Sequence, residues 1–129
     1  MDHNFKNMVL IIDTNDREKI QLSVEMNGKV LMKKSIKAKF KQAEKLLAGV
    51  EKMLIGAKIN LKKIKEIRVE NRGESFTSLR IGVITANALG YSLGVPVTTV
   101  QGGDKKTKKQ FSIIKPEYSQ EPNITISKK

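Results

Sequence analysis

The chain has 129 residues, with 25 lysines and arginines against 13 acidic residues and a net charge of +12. This length predicts one domain with a hydrophobic core of its own. Because cysteine is absent, disulfide frameworks and thiolate metal sites are excluded, which fits a cytoplasmic protein. The longest apolar run, residues 8–12, is far shorter than the roughly 20 residues of a membrane span, so we expect no membrane association.

The positive charge favours contact with nucleic acid, since lysines that neutralise phosphates release counterions. Only four of the 25 basic residues are arginine, however, and aromatic residues make up 5% of the chain. The same usage fits charge spread over a whole surface. We therefore expect contact with RNA to be indirect or weak.

The first predicted elements are three strands. Residues 8–12 form a continuous apolar run, which is typical of a central strand buried on both faces. Apolar and polar residues then alternate over residues 20–26, and Asn27-Gly28 follows, the pair that best fits a tight hairpin turn. This pattern predicts an antiparallel partner strand over residues 29–36.

Residues 40–57 predict the first helix, because apolar residues recur at steps of three and four. Gly56 is the predicted stop, since glycine readily adopts the left-handed conformation that closes helices. A short fourth strand is predicted over residues 66–70. The helical stripe consists of Phe40, Ala43, Leu47, Val50, Leu54 and Ala57, widened by Leu46 and Met53.

Ser75 is the predicted N-cap of a second helix, which Gly94 and Pro96 end, and residues 95–100 predict a fifth strand. This helix carries two apolar stripes, of which one is enough for its own core. The second stripe needs a partner or the cover of the first helix. The first stripe is Phe76, Leu79, Val83 and Leu93, and the second is Ile84, Ala88 and Tyr91.

The second helix also has a small residue at every fourth position, and such a ridge lets another backbone approach closely. Glycine inside a helix costs about 0.5–1 kcal/mol relative to alanine, so the ridge needs a packing reason. Two interpretations stay open, namely packing on the helix's own sheet and contact with another subunit. The ridge consists of Ser78, Gly82, Ala86, Gly90 and Gly94.

The order strand, hairpin, helix, strand, helix, strand predicts an α/β fold, with a mixed sheet of about five strands, an antiparallel hairpin and two main helices. It is the succession found in one lobe of ribonuclease H-like, actin-like proteins. We predict this lobe over residues 1–101. A lysine-rich connector (102–110) and a C-terminal tail (111–129) complete the chain.

Two polar constellations suggest chemistry. Asp13, Glu44 and Glu70 stand on the elements that hold two metal ions in ribonuclease H-like nucleases, although solvated surface acids explain them more simply. Arg72, with Arg80 one turn inside the helix, is a candidate contact for an anion or tRNA, because a helix N-terminus attracts negative charge. His3 is the single histidine of the chain, so no second histidine can bind a metal ion together with it.

The run Glu74-Ser75-Phe76-Thr77-Ser78-Leu79-Arg80-Ile81-Gly82 resembles the Gly-Pro-Gly-Ser-Phe-Thr-Gly-Leu-Arg-Ile-Gly run of the TsaB family, a subunit of the bacterial machinery that makes threonylcarbamoyladenosine on tRNA. The similarity covers about the first hundred residues. Arg72, Gly73 and Glu74 stand where the family has Gly, Pro and Gly. A second match, Lys115-Pro116-Glu117-Tyr118, is similar to the family's terminal Pro-x-Tyr segment, and we expect a complete protein shortened to one lobe.

The resemblance implies a non-catalytic scaffold subunit that binds a TsaD-like catalytic subunit, with a TsaE-like ATPase as a further partner. It implies no catalytic residue, metal site or cofactor on this chain, with ATP and metal held by the partner subunits. The alternatives are a metal-dependent nuclease and a homodimer through the same helices. The residues implied at the partner interface are Ala43, Leu47, Val50, Leu54, Phe76, Leu79, Gly82, Val83, Ala86 and Gly90.

Overall fold

The computed structural model describes residues 7–100 and 117–118. The predicted connector over 102–110 lies outside the described residues, as does the predicted tail except for 117–118. The elements in chain order are β1 (Met8–Asp13), β2 (Lys19–Met26), β3 (Lys29–Lys37), α1 (Gln42–Gly56), a 3-10 turn (Leu61–Lys63), β4 (Glu66–Val69), β5 (Arg72–Gly73), α2 (Phe76–Leu93), β6 (Val97–Thr99) and β7 (Glu117–Tyr118).

The main sheet has five strands in the order β3-β2-β1-β4-β6. Strand β2 runs antiparallel to β1 and β3, whereas β4 runs parallel to β1 and β6. Strand β1 therefore lies at the centre, as its continuous apolar run predicts. The predicted α/β architecture, a mixed five-stranded sheet with an antiparallel hairpin and two helices, is confirmed.

Both helices pack on the same face of the sheet. Gly49 of α1 lies against Leu22, and Gly90 of α2 lies against Val97. Paired residues of neighbouring strands point to one face, and the register from β2 to β6 puts Leu22 and Val97 on the same side. The core between sheet and helices includes Leu10, Ile12, Leu22, Val24, Leu46, Val50, Met53, Ile67, Val69, Val83, Ala86 and Val97.

The turn between β2 and β3 confirms the predicted hairpin. Asn27 has φ 55° and Gly28 has φ 84°. Positive φ at both central residues is the geometry that matches the twist of two antiparallel strands. The turn lies at the end of the sheet where β1 begins, because Met26 pairs with Met8.

Helix α1 ends at the predicted Gly56, but its start and the residue that closes it differ from the prediction. Gly56 is the last helical residue, and the left-handed residue is Lys58, with φ 60°. The hydrogen bond that closes the helix follows this residue, since the Ile59 N–H donates to the Leu54 carbonyl at 2.8 Å. Phe40 precedes the helix with φ 62° and is 91% exposed, so it does not belong to the buried stripe.

Strand β3 forms one edge of the sheet, and most of its residues are exposed. Val30 and Leu31 are 54% and 46% exposed. Four of its nine residues are lysines, and none is acidic: Lys29, Lys33, Lys34 and Lys37.

Candidate functional site

The carboxyl end of β1 meets the N-termini of both helices, and a buried threonine fixes the junction. The Thr14 side chain is fully buried, and its hydroxyl donates to the Ser78 carbonyl at 2.6 Å. A Cβ on Gly82 would lie 2.5 Å from the Thr14 Oγ1. Gly82 therefore makes room for Thr14, and the hydrogen bond to Ser78 holds α2 against the end of β1.

A buried glutamine ties α1 to the same junction. The Gln42 Nε2 donates to the carbonyls of Thr14 at 3.2 Å, Asp16 at 2.7 Å and Lys19 at 3.1 Å. Its two hydrogens are thus shared among three oxygens of the β1–β2 turn. Sequence reasoning missed this residue. The sequence signal that could have identified Gln42 is its place one helical turn before Leu46, which puts a polar side chain on the buried face of α1.

The turn before α2 fits the turn after β1. The Asn15 N–H donates to the Asp13 Oδ1 at 2.8 Å, and the Asn15 side-chain oxygen is buried against Gly73. A Cβ on Gly73 would overlap that side chain. Gly73 is thus required by close packing on Asn15, which is a structural role.

A groove of about 820 Å³ opens between these turns and the N-termini of α1 and α2. Phe40 stands exposed at its border, and Phe76 lines it from α2. The ionisable side chains in the lining balance in charge, and one pair, Lys39 and Glu18, lies 3.9 Å apart. They are Arg17, Lys39 and Lys41 against Glu18, Glu44 and Glu74.

The structure does not bring the two arginines of the predicted anion or tRNA contact into one cavity, and the contact stays a prediction. Arg72 lines a smaller cavity of about 540 Å³ beside Asn15, whereas Arg80 lies exposed on α2 and lines neither cavity. The Arg72 N–H donates to the Glu70 Oε2 at 2.9 Å, which brings a carboxylate to the turn. Strand β7 also pairs in parallel with residues 72–73.

The structure confirms the predicted position of the N-cap at Ser75 but not the predicted hydrogen bond of its side chain. Ser75 is the N-cap residue of α2, but its side chain accepts no capping hydrogen bond. Its ψ of 89° falls short of the extended geometry that turns the hydroxyl toward the first amides. The predicted end holds, since Gly94 has φ 70° and its N–H donates to the Gly90 carbonyl at 2.8 Å.

Two of the three acids of the nuclease alternative serve local structure, and the third is exposed. The Asp13 carboxylate accepts from the Asn15 N–H, and the Glu70 carboxylate accepts from the Arg72 N–H. Glu44 lies exposed on α1 and lines the groove. Within residues 7–100, no three acidic, histidine or cysteine side chains lie close enough to hold a metal ion.

The structure corrects most of the predicted partner surface. Gly82 packs on Thr14 and Gly90 packs on Val97, so the small-residue ridge faces the chain's own sheet. Ala43 and Leu47 are exposed and Phe76 is half-buried, and for these three the interface stays a prediction. The predicted interface residues that the structure buries in its own core are Val50, Leu54, Leu79, Gly82, Val83, Ala86 and Gly90.

The second apolar stripe of α2 is the exposed one. Ile84 is 58% and Tyr91 is 72% exposed, with Ala88 exposed between them. On α1, Leu47 and Ile55 are 54% and 69% exposed. We call these five residues the outer helical face. Neither of these helices is long and apolar enough to cross a bilayer.

Comparison with known proteins gives a family and a fold. The model of the family described as TsaD, tRNA N6-adenosine threonylcarbamoyltransferase, matches residues 36–124. No curated protein matches the sequence.

Among solved structures, YeaZ from Pseudomonas aeruginosa superposes with a TM-score of 0.66 at 24% identity, over 73% of this chain and 43% of that one. A second P. aeruginosa structure, described as similar to the peptidase YeaZ, gives the same values. The chain thus spans less than half the length of these relatives. At 24% identity the superpositions show a shared fold, which agrees with the predicted mixed α/β sheet, and the family match over residues 36–124 agrees with the predicted relationship to the threonylcarbamoyladenosine machinery.

Proposed function

The chain belongs to the tRNA N6-adenosine threonylcarbamoyltransferase (TsaD) family, and on this premise we propose that it is a non-catalytic scaffold subunit for a TsaD-like catalytic protein. The likeness to YeaZ supports a TsaB-like member of this family. The geometry of the carboxyl end of β1 supports a structural role, since Thr14, Gln42 and Asn15 bind the chain's own backbone or turns.

The observation that carries this proposal is the outer helical face. Leu47, Ile55, Ile84 and Tyr91 are four of the eight large apolar side chains exposed in the described part of the chain. They lie on the two helices, away from the sheet that those helices cover. Tyrosine is one of the residues that most often carry binding free energy, and the buried centre of an interface is more apolar than its rim. We propose that this face binds the catalytic partner.

Coexpression with the TsaD-like protein of the same organism tests the proposal. We expect a one-to-one complex that survives size-exclusion chromatography. The double substitution Ile84→Glu with Tyr91→Glu should abolish it, because two charges would be buried without partners at its centre. Since both side chains are exposed, the melting temperature of the isolated chain should stay the same.

Val30→Glu provides the matched control. Val30 is 54% exposed, close to Ile84 at 58%, but it lies on the edge strand β3. This variant should form the complex as the wild type does. A complex that persists in the Ile84→Glu, Tyr91→Glu variant would overturn the proposed surface. A homodimer of the isolated chain in light scattering, with no complex on coexpression, would favour the alternative of a self-associating module.

The wider assembly follows from the family. We propose a TsaE-like ATPase as a further partner, with ATP and metal bound by the partner subunits, and the cytoplasm as the place of action. Carbamoyl transfer to tRNA would be the work of the catalytic partner. Purified chain without that partner should therefore leave tRNA unmodified, and nucleoside analysis by mass spectrometry would detect the opposite result.

A further inference from the structure

The end of the molecule opposite the groove is strongly basic. Between Glu51 and Glu66 the sequence contains five lysines and no acidic residue. One of them, Lys52, belongs to α1. The other four lie in the connection from α1 to β4 and are exposed: Lys58, Lys62, Lys63 and Lys65. We call these four the basic end.

The connection holds these lysines outward on a fixed backbone. Ile59, Leu61 and Ile64 turn inward against the hydrophobic core. The Lys63 N–H donates to the Asn60 carbonyl at 2.8 Å, and the Lys65 N–H donates to the Met8 carbonyl at 2.8 Å. The charges are thus presented by a segment that is itself part of the packed fold.

Lys58 has a backbone conformation that glycine adopts with less steric strain. Its φ of 60° lies in the left-handed region, which costs a residue with a Cβ more than glycine. A single lysine there could be explained by the partial negative charge at the end of α1. That explanation does not extend to Lys62 and Lys65, which lie beyond the helix.

Three of the four lysines of the basic end carry a charge that no described carboxylate neutralises. No described carboxylate lies within ion-pair distance of Lys58, Lys62 or Lys65, whereas the groove at the opposite end has as many acidic as basic residues in its lining. Lys29 lies at the same end, because it pairs with Met26, which pairs with Met8 beside Lys65. Three strand spacings of about 4.8 Å separate β3 from β4, so the backbones at Lys29 and Lys65 lie roughly 14 Å apart.

We infer that the basic end binds the phosphate backbone of RNA. The choice of RNA among polyanions rests on the proposed function, which places the chain in a tRNA-modifying assembly. No described aromatic residue lies in the connection from α1 to β4, so binding there depends on phosphate contacts and reads no base sequence. The surface is distinct from Arg72 and Arg80 and from the outer helical face.

The test measures binding of fluorescein-labelled transcribed tRNA to the isolated chain by anisotropy, between 50 and 200 mM salt. The basic-end variant carries Lys58→Gln, Lys62→Gln and Lys65→Gln. The matched control carries Lys39→Gln, Lys41→Gln and Lys45→Gln, three exposed lysines at the opposite end. We expect the basic-end variant to bind about tenfold or more weakly at low salt, with a salt slope lower by about 2–3.

The control should lose less than about threefold, since its lysines make no phosphate contact in this arrangement. Equal losses in both variants, or no binding by the wild type at 50 mM salt, would overturn the inference. So would binding to phosphatidylserine vesicles that is lost in the basic-end variant without any binding of tRNA. Coexpression of the same variants with the TsaD-like protein separates the two proposals, because a complex that forms normally leaves the scaffold function standing when RNA binding fails.

Discussion

The inner and outer faces of α2 both carry apolar residues, but only the inner face is buried against the sheet. On the inner face, Gly82 admits the buried Thr14 side chain and Gly90 admits Val97. On the outer face, Ile84 and Tyr91 remain 58% and 72% exposed. A ridge of small residues therefore indicates that something approaches a helix closely, but it does not identify what approaches. Here the neighbour is the chain's own sheet, and the stripe of large residues is the one that stays exposed.

The largest expected effect comes from filling the inner face. Gly82→Leu should lower the free energy of unfolding by about 3 kcal/mol or more, because the new side chain overlaps buried Thr14 where neither element can yield. Urea denaturation measures the change. Ala88→Leu, on the outer face of the same helix, should stay within about 0.5 kcal/mol of the wild type. Equal effects of the two substitutions would contradict the assignment of the faces.

Two neighbouring leucines of α1 repeat the comparison with identical chemistry. Leu46 is fully buried and Leu47 is 54% exposed. Leu46→Ala should cost about 2–4 kcal/mol through lost burial and a cavity, whereas Leu47→Ala should cost less than about 0.5 kcal/mol. Thermal unfolding of both variants gives the difference. In the complex with the TsaD-like partner the order should reverse, so that Leu47→Ala is the one that weakens binding.

The buried amide of Gln42 should have an intermediate effect. Gln42→Ala leaves the carbonyls of Thr14, Asp16 and Lys19 without their side-chain donor and should cost about 1–3 kcal/mol. Gln21→Ala, at an exposed position of β2, should change stability by less than about 0.5 kcal/mol. Urea midpoints that agree within error for the two variants would show that the junction does not depend on this side chain.

The smallest expected effect has the opposite sign. Lys58→Gly should raise stability by about 0.5–1 kcal/mol, because glycine tolerates the left-handed φ of this position. Lys52→Gly, inside α1, should lower stability by about 1 kcal/mol for the same exchange. Melting temperatures of the two variants should therefore move in opposite directions.

Locally encoded features were predictable from the sequence. The alternation before Asn27-Gly28 fixes the hairpin, and Gly94 ends α2 in the left-handed conformation. The end of α1 at Gly56 was also predicted, but the left-handed residue that closes the helix is Lys58 and not the glycine.

Features that depend on distant residues were not predictable. Periodicity gives the stripes of α2 but cannot say which stripe meets the sheet, and this ambiguity placed buried residues of α2 in the predicted partner interface. The role of Gln42 depends on three carbonyls that lie 23 to 28 residues away in sequence. The pairing of β5 with β7 joins segments more than 40 residues apart, which no local pattern encodes.

The lysines of β3 have a consequence for handling the protein. An edge strand with exposed Val30 and Leu31 is a template for strand pairing between molecules, and lysine charges repel such pairing. Reagents that acetylate lysine would remove this repulsion while leaving the strand itself intact. Acetylated protein should therefore aggregate through β3 at concentrations at which the unmodified protein stays dispersed. Labelling reagents that react with amines are best avoided for this protein.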